Sequence, residues 1–577
     1  MQEILHVERR TDFMGLVKNP VMPGFYPDPS VCHVDRVDER GKRIRDYYMV
    51  HSTFCYVPGL PIFHSTDLCR WEQIGHVLTR ESQLVFNGDS MSRGMFAPCI
   101  RYHKGIFYVA CTNVSHGGNF YVTAKDPAGP WSDPVYLPEE EAKGIDPSLF
   151  FDGDTCYYIG QRTKENAAYN GDCEVWIQEL DLEKGQLTGP VSVLWDGAMK
   201  HAVWPEGPHI YKRGDYYYLL IAEGGTSVSH SICVARSKSL RGPYESCPNN
   251  PVFTHRHLGN KVAVQNVGHA DLIEHEDGSW YAFMLATRPL NARLSKGIYA
   301  KNTAAPLGRE TFVAAVEWQE DWPVFNPCVG MLQEYQQIGD GEATEESLCA
   351  ADHLIWQEPL DQRCLFFRYP KSKFYQVVEQ EKSNIQPEPA QEKGIMQSES
   401  VLKQDENLLA LQILDEDFST KNSPAYIGVR VTSLNFSLET TVMASEMTSG
   451  EAGLVYLYDE NNYVKLVLKK AGLCKNLLDE SETGYQAVLS LVEDSVETQI
   501  AKKEVGSCCK LRFALEGLAL KAYVDGTELG SAVNVANLTS ENIGGFVGCT
   551  MGVYAGGAAM NKIQPEYVYF STLKIQA

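Results

Sequence analysis

Residues Arg213 to Gly224 read "RGDYYYLLIAEG", a polar turn running straight into an aromatic strand. Gly and Asp suit the turn, and consecutive Tyr and Leu suit a pleated, packed surface. Four other stretches share the pattern: "RDYYMVHST" from Arg45, "KGIFYVACT" from Lys104, "GDTCYYIGQ" from Gly153 and "DGSWYAFMLAT" from Asp277. They recur roughly every 50 to 65 residues, and helical periodicity between them is scarce. A repeat of that length with several strands per unit predicts an all-β chain that opens with a five-bladed β-propeller.

A short motif precedes each aromatic strand: "YPDPS" around Asp28, "FAPCI" at Phe96 to Ile100, "IDPSLF" around Asp146, "WPEGPHI" around Glu206 and "GHADLI" around His269. In the last four units the gap is about ten residues. In the first, "VDRVDERGKRIRD" reads as a charged hairpin insertion. Equivalent positions of successive blades meet around one axis, so Asp28, Asp146, Glu206 and His269 are expected to converge there. Asp28 stands between Pro27 and Pro29, which predicts a stiff, extended mount for one carboxylate. Asp67, Asp152, Asp154 and Asp215 lie in polar turns and are expected to be solvated; Asp271 is expected to cap its strand.

Paired carboxyl groups across a glycosidic bond hydrolyse sugars: one protonates the departing oxygen, the other activates water or attacks. Glu206 suits the acid, because Trp204 and two prolines surround it with apolar groups that raise a carboxyl pKa. Asp28 suits the base, and Asp146 would keep Glu206 protonated by like-charge repulsion.

At 577 residues the chain exceeds one hydrophobic core. A formal charge of −23 argues against nucleic acid or an acidic membrane surface as partner, while a neutral oligosaccharide substrate is unaffected. The 16 Cys include no C-x-x-C pair, so neither zinc nor a disulfide framework is indicated. The start "MQEILHVERRTDF" lacks the apolar core of a signal peptide, and no run reaches membrane-spanning length. A cytoplasmic location is expected, with a trimmed leader left open. The propeller is placed at residues 14–335 and an acidic linker at 336–352. Residues 353–577 alternate with turns such as Asp459-Glu460-Asn461-Asn462 and Asp525-Gly526, which predicts a β-sandwich. The polar stretch Val377 to Asp405 reads as a loop.

"NPVMPGFYPDPSV", "STFCYVPGLPIFHSTDLCRWEQIGHVL", "IDPSLF", "EGPHIYKRGDYYYLLIAEGGT", "GHADLIE" and "LGRETF" together resemble glycoside hydrolase family 43, in particular its two-domain β-xylosidases and α-L-arabinofuranosidases. The resemblance runs over nearly the whole chain. It implies a five-bladed propeller with a concanavalin-like sandwich, and exo-acting hydrolysis of pentosides with inversion. By motif it makes Asp28 the general base, Glu206 the general acid and Asp146 the group tuning its pKa. It also implies that Arg309 holds sugar hydroxyls and that Phe54 and Phe96 wall the pocket. His269 would lie on the axis, where some relatives hold a hydrated calcium ion; no cofactor is required. A homo-oligomer is left open. Phe96 replaces a frequent Trp, and Cys55-Tyr56 replace a frequent acid and Trp, which leaves xylose against arabinose undecided. An endo-arabinanase would need an open groove, and a purely carbohydrate-binding or protein-binding propeller would have no use for three axial acids. "GGFVGCTMGVYAGG" is the C-terminal stretch expected to reach substrate.

Overall fold

The computed structural model describes residues 10–11, 15–37, 41, 43–86, 88–259, 261–297, 302–339, 347–348, 352–379, 407–420, 422–471, 484–557 and 565–577. The chain divides into two compact units, Met1–Cys349 with Thr539–Gly548, and Ala350–Leu538 with Cys549–Ala577.

In the first unit, the described residues form five four-stranded antiparallel sheets, each from one continuous stretch of chain. The strands of blade 1 are Ser30–Val37, Arg43–Val50, Gly59–Ser65 and Glu72–Leu78; those of blade 2 are Cys99–His103, Ile106–Asn113, Gly118–Ala124 and Val135–Tyr136. Blade 3 holds Ile145–Asp152, Thr155–Thr163, Cys173–Asp181 and Gln186–Trp195, and blade 4 holds Glu206–Arg213, Tyr216–Glu223, Ser231–Ser237 and Glu245–Ser246. Blade 5 comprises Gln265–Glu274, Trp280–Thr287, Glu310–Gln319 and Trp322–Phe325. The five aromatic stretches are the second strands. The motifs run into the first strands, which touch one another in a closed cycle, the fifth against the first. The charged insertion is a long hairpin in blade 1, paired out to Val37 and Arg43.

Apolar groups fill the gaps between neighbouring blades. Tyr108, Tyr121, Leu149, Tyr158 and Trp176 pack between blades 2 and 3; Tyr47, Phe63, Tyr281 and Phe283 pack between blades 5 and 1. Among the described residues no strand is exchanged to close the ring, and side chains and an N-terminal strap hold it shut. Leu16–Lys18 pairs with Tyr335–Gln337, and the Asn19 amide donates to Val313 O at 2.9 Å and accepts from Val313 N at 2.9 Å.

The axis is tied by charge. Asp271, expected as a strand cap, is fully buried there instead. Its Oδ2 accepts from Ser30 Oγ at 2.7 Å, from Val31 N at 3.1 Å and from Arg101 Nη1 at 2.9 Å, while Oδ1 accepts from Tyr211. Arg101 Nη2 lies 2.9 Å from His209 Nδ1, which lies 3.0 Å from Ser148 Oγ. The network therefore takes a residue from every blade. Burial alone would raise the Asp271 pKa, but the Arg101 charge and these donors hold it far below the usual carboxylate range.

The second unit is a sandwich of two antiparallel sheets. One is ordered Tyr375–Val378, Leu408–Gln412, Tyr567–Phe570, Asn435–Met443, Cys508–Glu516, Ala519–Val524 and Thr527–Glu528. The other runs Val496–Val505, Tyr485–Glu493, Asn462–Lys470, Glu451–Asp459, Thr550–Gly556, Ala425–Arg430 and Leu365–Phe367. Period-two alternation shows in Cys509, Leu511, Phe513 and Leu515, all buried between outward-facing neighbours. Both expected turns close hairpins, at Asp459–Asn462 and at Asp525-Gly526. Of the stretch Val377 to Asp405, Val377 and Val378 pair with Leu409 and Leu408; residues 380–405 lie outside the described residues.

Removing one partner of a buried ion pair costs about 3–5 kcal/mol. Asp271→Ala is therefore expected to lower the urea midpoint followed by tryptophan fluorescence, while Asp215→Ala, in an exposed turn, stays within about 0.5 kcal/mol. The Asp271 contribution is present above the unfolded value near ~3.9 and is lost only as pH falls through the depressed folded value. Equal midpoints for the two variants would remove the axial pair from this role.

Candidate active site

Five triplets open the first strands: Asp28-Pro29-Ser30, Ala97-Pro98-Cys99, Asp146-Pro147-Ser148, Gly207-Pro208-His209 and His269-Ala270-Asp271. Their third members form the axial floor; Cys99 Sγ lies 3.4 Å from Ser148 Oγ, and the others bond as above. Their first members sit two residues higher, with φ of 55° at Asp28, 55° at Asp146, 58° at Gly207 and 48° at His269. Register irregularities span these positions in blades 3, 4 and 5.

Two expectations are corrected here. Asp28 is not extended: its φ of 55° is left-handed, a conformation short polar side chains tolerate, and the bulge-like entry to the strand outweighs the proline preference. Glu206 is not the blade equivalent of Asp28 and Asp146; Gly207 is, and Glu206 precedes it by one residue. Glycine is required at 207, because a Cβ there would come within 2.9 Å of His269 Cε1.

Asp28, Phe54, Phe96, Ala97, Ile145, Asp146, Glu206, Thr226, His269, Arg309 and Phe546 line one cavity of about 390 Å³, its open mouth included. All seven site residues read from the sequence therefore meet. Asp28 Oδ1 accepts from Arg309 Nη1 at 2.9 Å, and its Oδ2 from Ser52 Oγ at 2.6 Å. Arg309 Nη1 also reaches Thr226 Oγ1 at 3.2 Å, and Nη2 donates to Phe546 O at 3.0 Å. Its guanidinium lies 5.6 Å from the ring centroids of both Phe54 and Phe546. Those two rings stack at 6.0 Å, and Phe96 meets Phe54 edge-on at 5.4 Å. Asp146 Oδ2 accepts from Gly207 N at 3.1 Å.

The three carboxyl groups are driven apart. Burial would raise Asp28, but Arg309, His269 and the Ser52 hydroxyl outweigh it and hold the pKa below the ordinary value. Burial raises Glu206 well above its ordinary value, and the Asp146 and Asp28 charges add to it. Asp146 lies between them, pushed up to about 6 by burial and by Asp28 against the pull of His269. One pocket thus holds a carboxyl group whose ionised form is favoured and another whose protonated form is favoured.

Sequence reasoning missed Ser52 and Thr226, which hold Asp28 and Arg309; each lies in a quoted stretch, "HSTF" and "AEGGT", without a signal marking it. Phe546 belongs to the stretch singled out as reaching substrate. Its segment Thr539–Gly548 packs with the propeller unit: Asn542 Oδ1 accepts from Lys296 N at 2.7 Å and Phe546 N donates to Ser92 Oγ at 2.9 Å. Cys55 and Tyr56 are fully buried and absent from the cavity lining, so they do not border the pocket. His269 offers a single nitrogen, and among the described residues no three His, Cys, Asp or Glu gather as a metal site. Calcium takes six to eight oxygens, so this donor set makes no protein cage for it.

A carboxyl group held low and another held high, facing one aromatic-walled cavity, are the pair that glycoside hydrolysis uses. Residues 17–323 match the glycosyl hydrolases family 43, and residues 395–576 match the beta xylosidase C-terminal concanavalin A-like domain. The chain belongs to glycosyl hydrolase family 43. It is 40% identical over 569 residues to a xylosidase/arabinosidase of Butyrivibrio fibrisolvens, covering 98% of this chain and all of that one. A non-reducing end alpha-L-arabinofuranosidase of Bacteroides ovatus is 32% identical over 95% of this chain and 93% of its own. Among solved structures, a xylan beta-1,4-xylosidase of Bacillus halodurans superposes with TM-score 0.79 at 26% identity, over 97% of this chain and 100% of that one.

Asp146 raises Glu206 by its charge, so Asp146→Asn is expected to lower the Glu206 pKa. The basic limb of the kcat/KM profile on an activated aryl glycoside should then move to lower pH, with the acid limb from Asp28 not moving upward. A basic limb left in place would show that Asp146 acts on geometry alone.

Proposed function

We propose that this glycosidase is exo-acting and inverting, releasing terminal non-reducing pentoses from xylo-oligosaccharides or arabinoxylan fragments, chiefly as a β-D-xylosidase. One observation carries the reading: Asp28 and Glu206 line the same cavity, and their pKa values are driven in opposite directions, Asp28 down by Arg309 and Glu206 up by burial. Protonated Glu206 gives its proton to the glycosidic oxygen as the bond to the anomeric carbon breaks. Ionised Asp28 takes a proton from water, whose oxygen bonds to that carbon from the opposite face. Inversion implies carboxyl groups roughly 6.5–9.5 Å apart, leaving room for the water. Arg309 serves twice, neutralising Asp28 and offering its fork to sugar hydroxyls. Three carboxyl groups and water suffice for these steps, without an organic cofactor.

An α-L-arabinofuranosidase activity in the same pocket is the second reading. Phe96 favours it, since a ring smaller than Trp leaves a wider wall, and the Bacteroides ovatus relative carries that name.

Paired assays on aryl β-D-xyloside and aryl α-L-arabinofuranoside, with the first-formed anomer followed by NMR, test the proposal. Turnover of the xyloside with α-xylose appearing first is expected; β-xylose first would overturn inversion. Asp28→Asn should lower kcat about 10²–10⁴-fold on every substrate. Glu206→Gln should cost most on poor leaving groups and least on activated aryl glycosides, and equal losses would remove it as the acid.

A further inference from the structure

Trp204 lies two residues before Glu206, keeps 36% of its surface exposed and does not line the carboxyl-bearing cavity. Its φ is 48°, a left-handed value that a bulky side chain adopts only when its surroundings force it. The surroundings are visible. Trp204 N donates to Gly171 O at 2.8 Å, and Gly224 N donates to Val203 O at 2.9 Å. The indole rests against two glycines. A Cβ at Gly171 would lie 2.9 Å from its Cε2, and one at Gly225 would lie 2.8 Å from its Cε3. Tyr169 Oη clasps the same loop through Ala202 O at 2.8 Å. Gly225 adjoins Thr226, which does line the cavity.

Strain of this kind is retained where the structure uses it. Packing against Gly171 and Gly225 fixes the ring, and 36% of its surface is nevertheless left facing outward. Glu206 must reach the glycosidic oxygen, so the leaving group lies on the side of the chain segment that carries Glu206. Trp204 is the exposed aromatic ring of that segment, packed against Gly225, whose neighbour Thr226 lines the cavity. We propose that Trp204 is the platform on which the leaving sugar ring stacks, and so sets the preference for a pyranose in the leaving position. The indole presents apolar area at little entropic cost, and sugar C–H faces pack on such a surface.

This inference rests on the pentosidase reading, and the experiment separates the two. Inhibition of β-D-xylosyl fluoride hydrolysis is measured with S-linked thioxylobiose and with free xylose, for the parent enzyme, Trp204→Ala and Trp204→Phe. Fluoride carries no leaving ring, so it reports on hydrolysis without that contact, and an unchanged urea midpoint of each variant serves as the folding control. The thioxylobiose inhibition constant should rise about tenfold in Trp204→Ala and less in Trp204→Phe, with that of xylose unchanged. Equal changes for thioxylobiose and xylose would overturn the platform while leaving the hydrolase intact. A parent enzyme inert toward xylosyl fluoride would sink the pentosidase reading and this inference with it.

Discussion

The Asp271 carboxylate on the propeller axis is the constraint from which the pocket follows. It is wholly buried, so its charge must be met by donors in fixed places, and those donors come from other blades: Ser30 and Val31 of blade 1, Arg101 of blade 2, Tyr211 of blade 4. Blade 3 joins through Ser148 and His209. An apolar axis would tolerate small slips between blades, because dispersion contacts are non-directional. A charged one does not, because a slip leaves a buried group unpaired. With the floor locked in phase, the residues two positions earlier are locked as well, and these include Asp28, Asp146 and His269.

Above that floor, three carboxyl groups share one cavity, and burial by itself would protonate all of them. Arg309 breaks the symmetry. It pairs with Asp28 and is anchored to Thr226 and to the Phe546 carbonyl, so its charge stays on one side of the pocket. Ser52 adds a second donor to Asp28, while Asp146 accepts from the Gly207 amide. The division of labour is thus a matter of which carboxylate receives the cation. The other two remain under burial and mutual repulsion, the condition that keeps Glu206 protonated.

Much of this was legible in the sequence because the signals are local. Turn residues next to aromatic strands mark a blade wherever they occur, and five in phase imply an axis. The three acids could be read because each stands in its blade's motif. What escaped needs information from elsewhere in the chain. Nothing near Asp271 announces Arg101, which lies 170 residues away and approaches it only when the ring closes. The one-residue offset of Glu206 from Asp146 comes from strand irregularities that two similar Pro-containing motifs do not betray. The prolines beside Asp28 argued for extended backbone, and the strand entry imposed the left-handed one instead.

The chain's charge of −23 bears on this arrangement in a way that selects the kind of ligand. A strongly acidic protein repels anions and draws cations to its clefts, so a charged substrate would meet either a barrier or competition from counter-ions. A neutral sugar meets neither. Within the pocket, Asp28 is matched by Arg309 and burial favours the protonated form of Glu206, so a neutral sugar entering it displaces water without having to neutralise an opposing charge. The background negative field acts in the same direction as burial on Glu206, favouring the protonated acid. The same field pushes Asp28 in the same direction as burial, and Arg309, the largest of the groups opposing them, is seconded by His269 and Ser52. A pocket that needs one ionised and one protonated carboxyl group in an acidic protein therefore depends on one buried cation, and Arg309 fills that place.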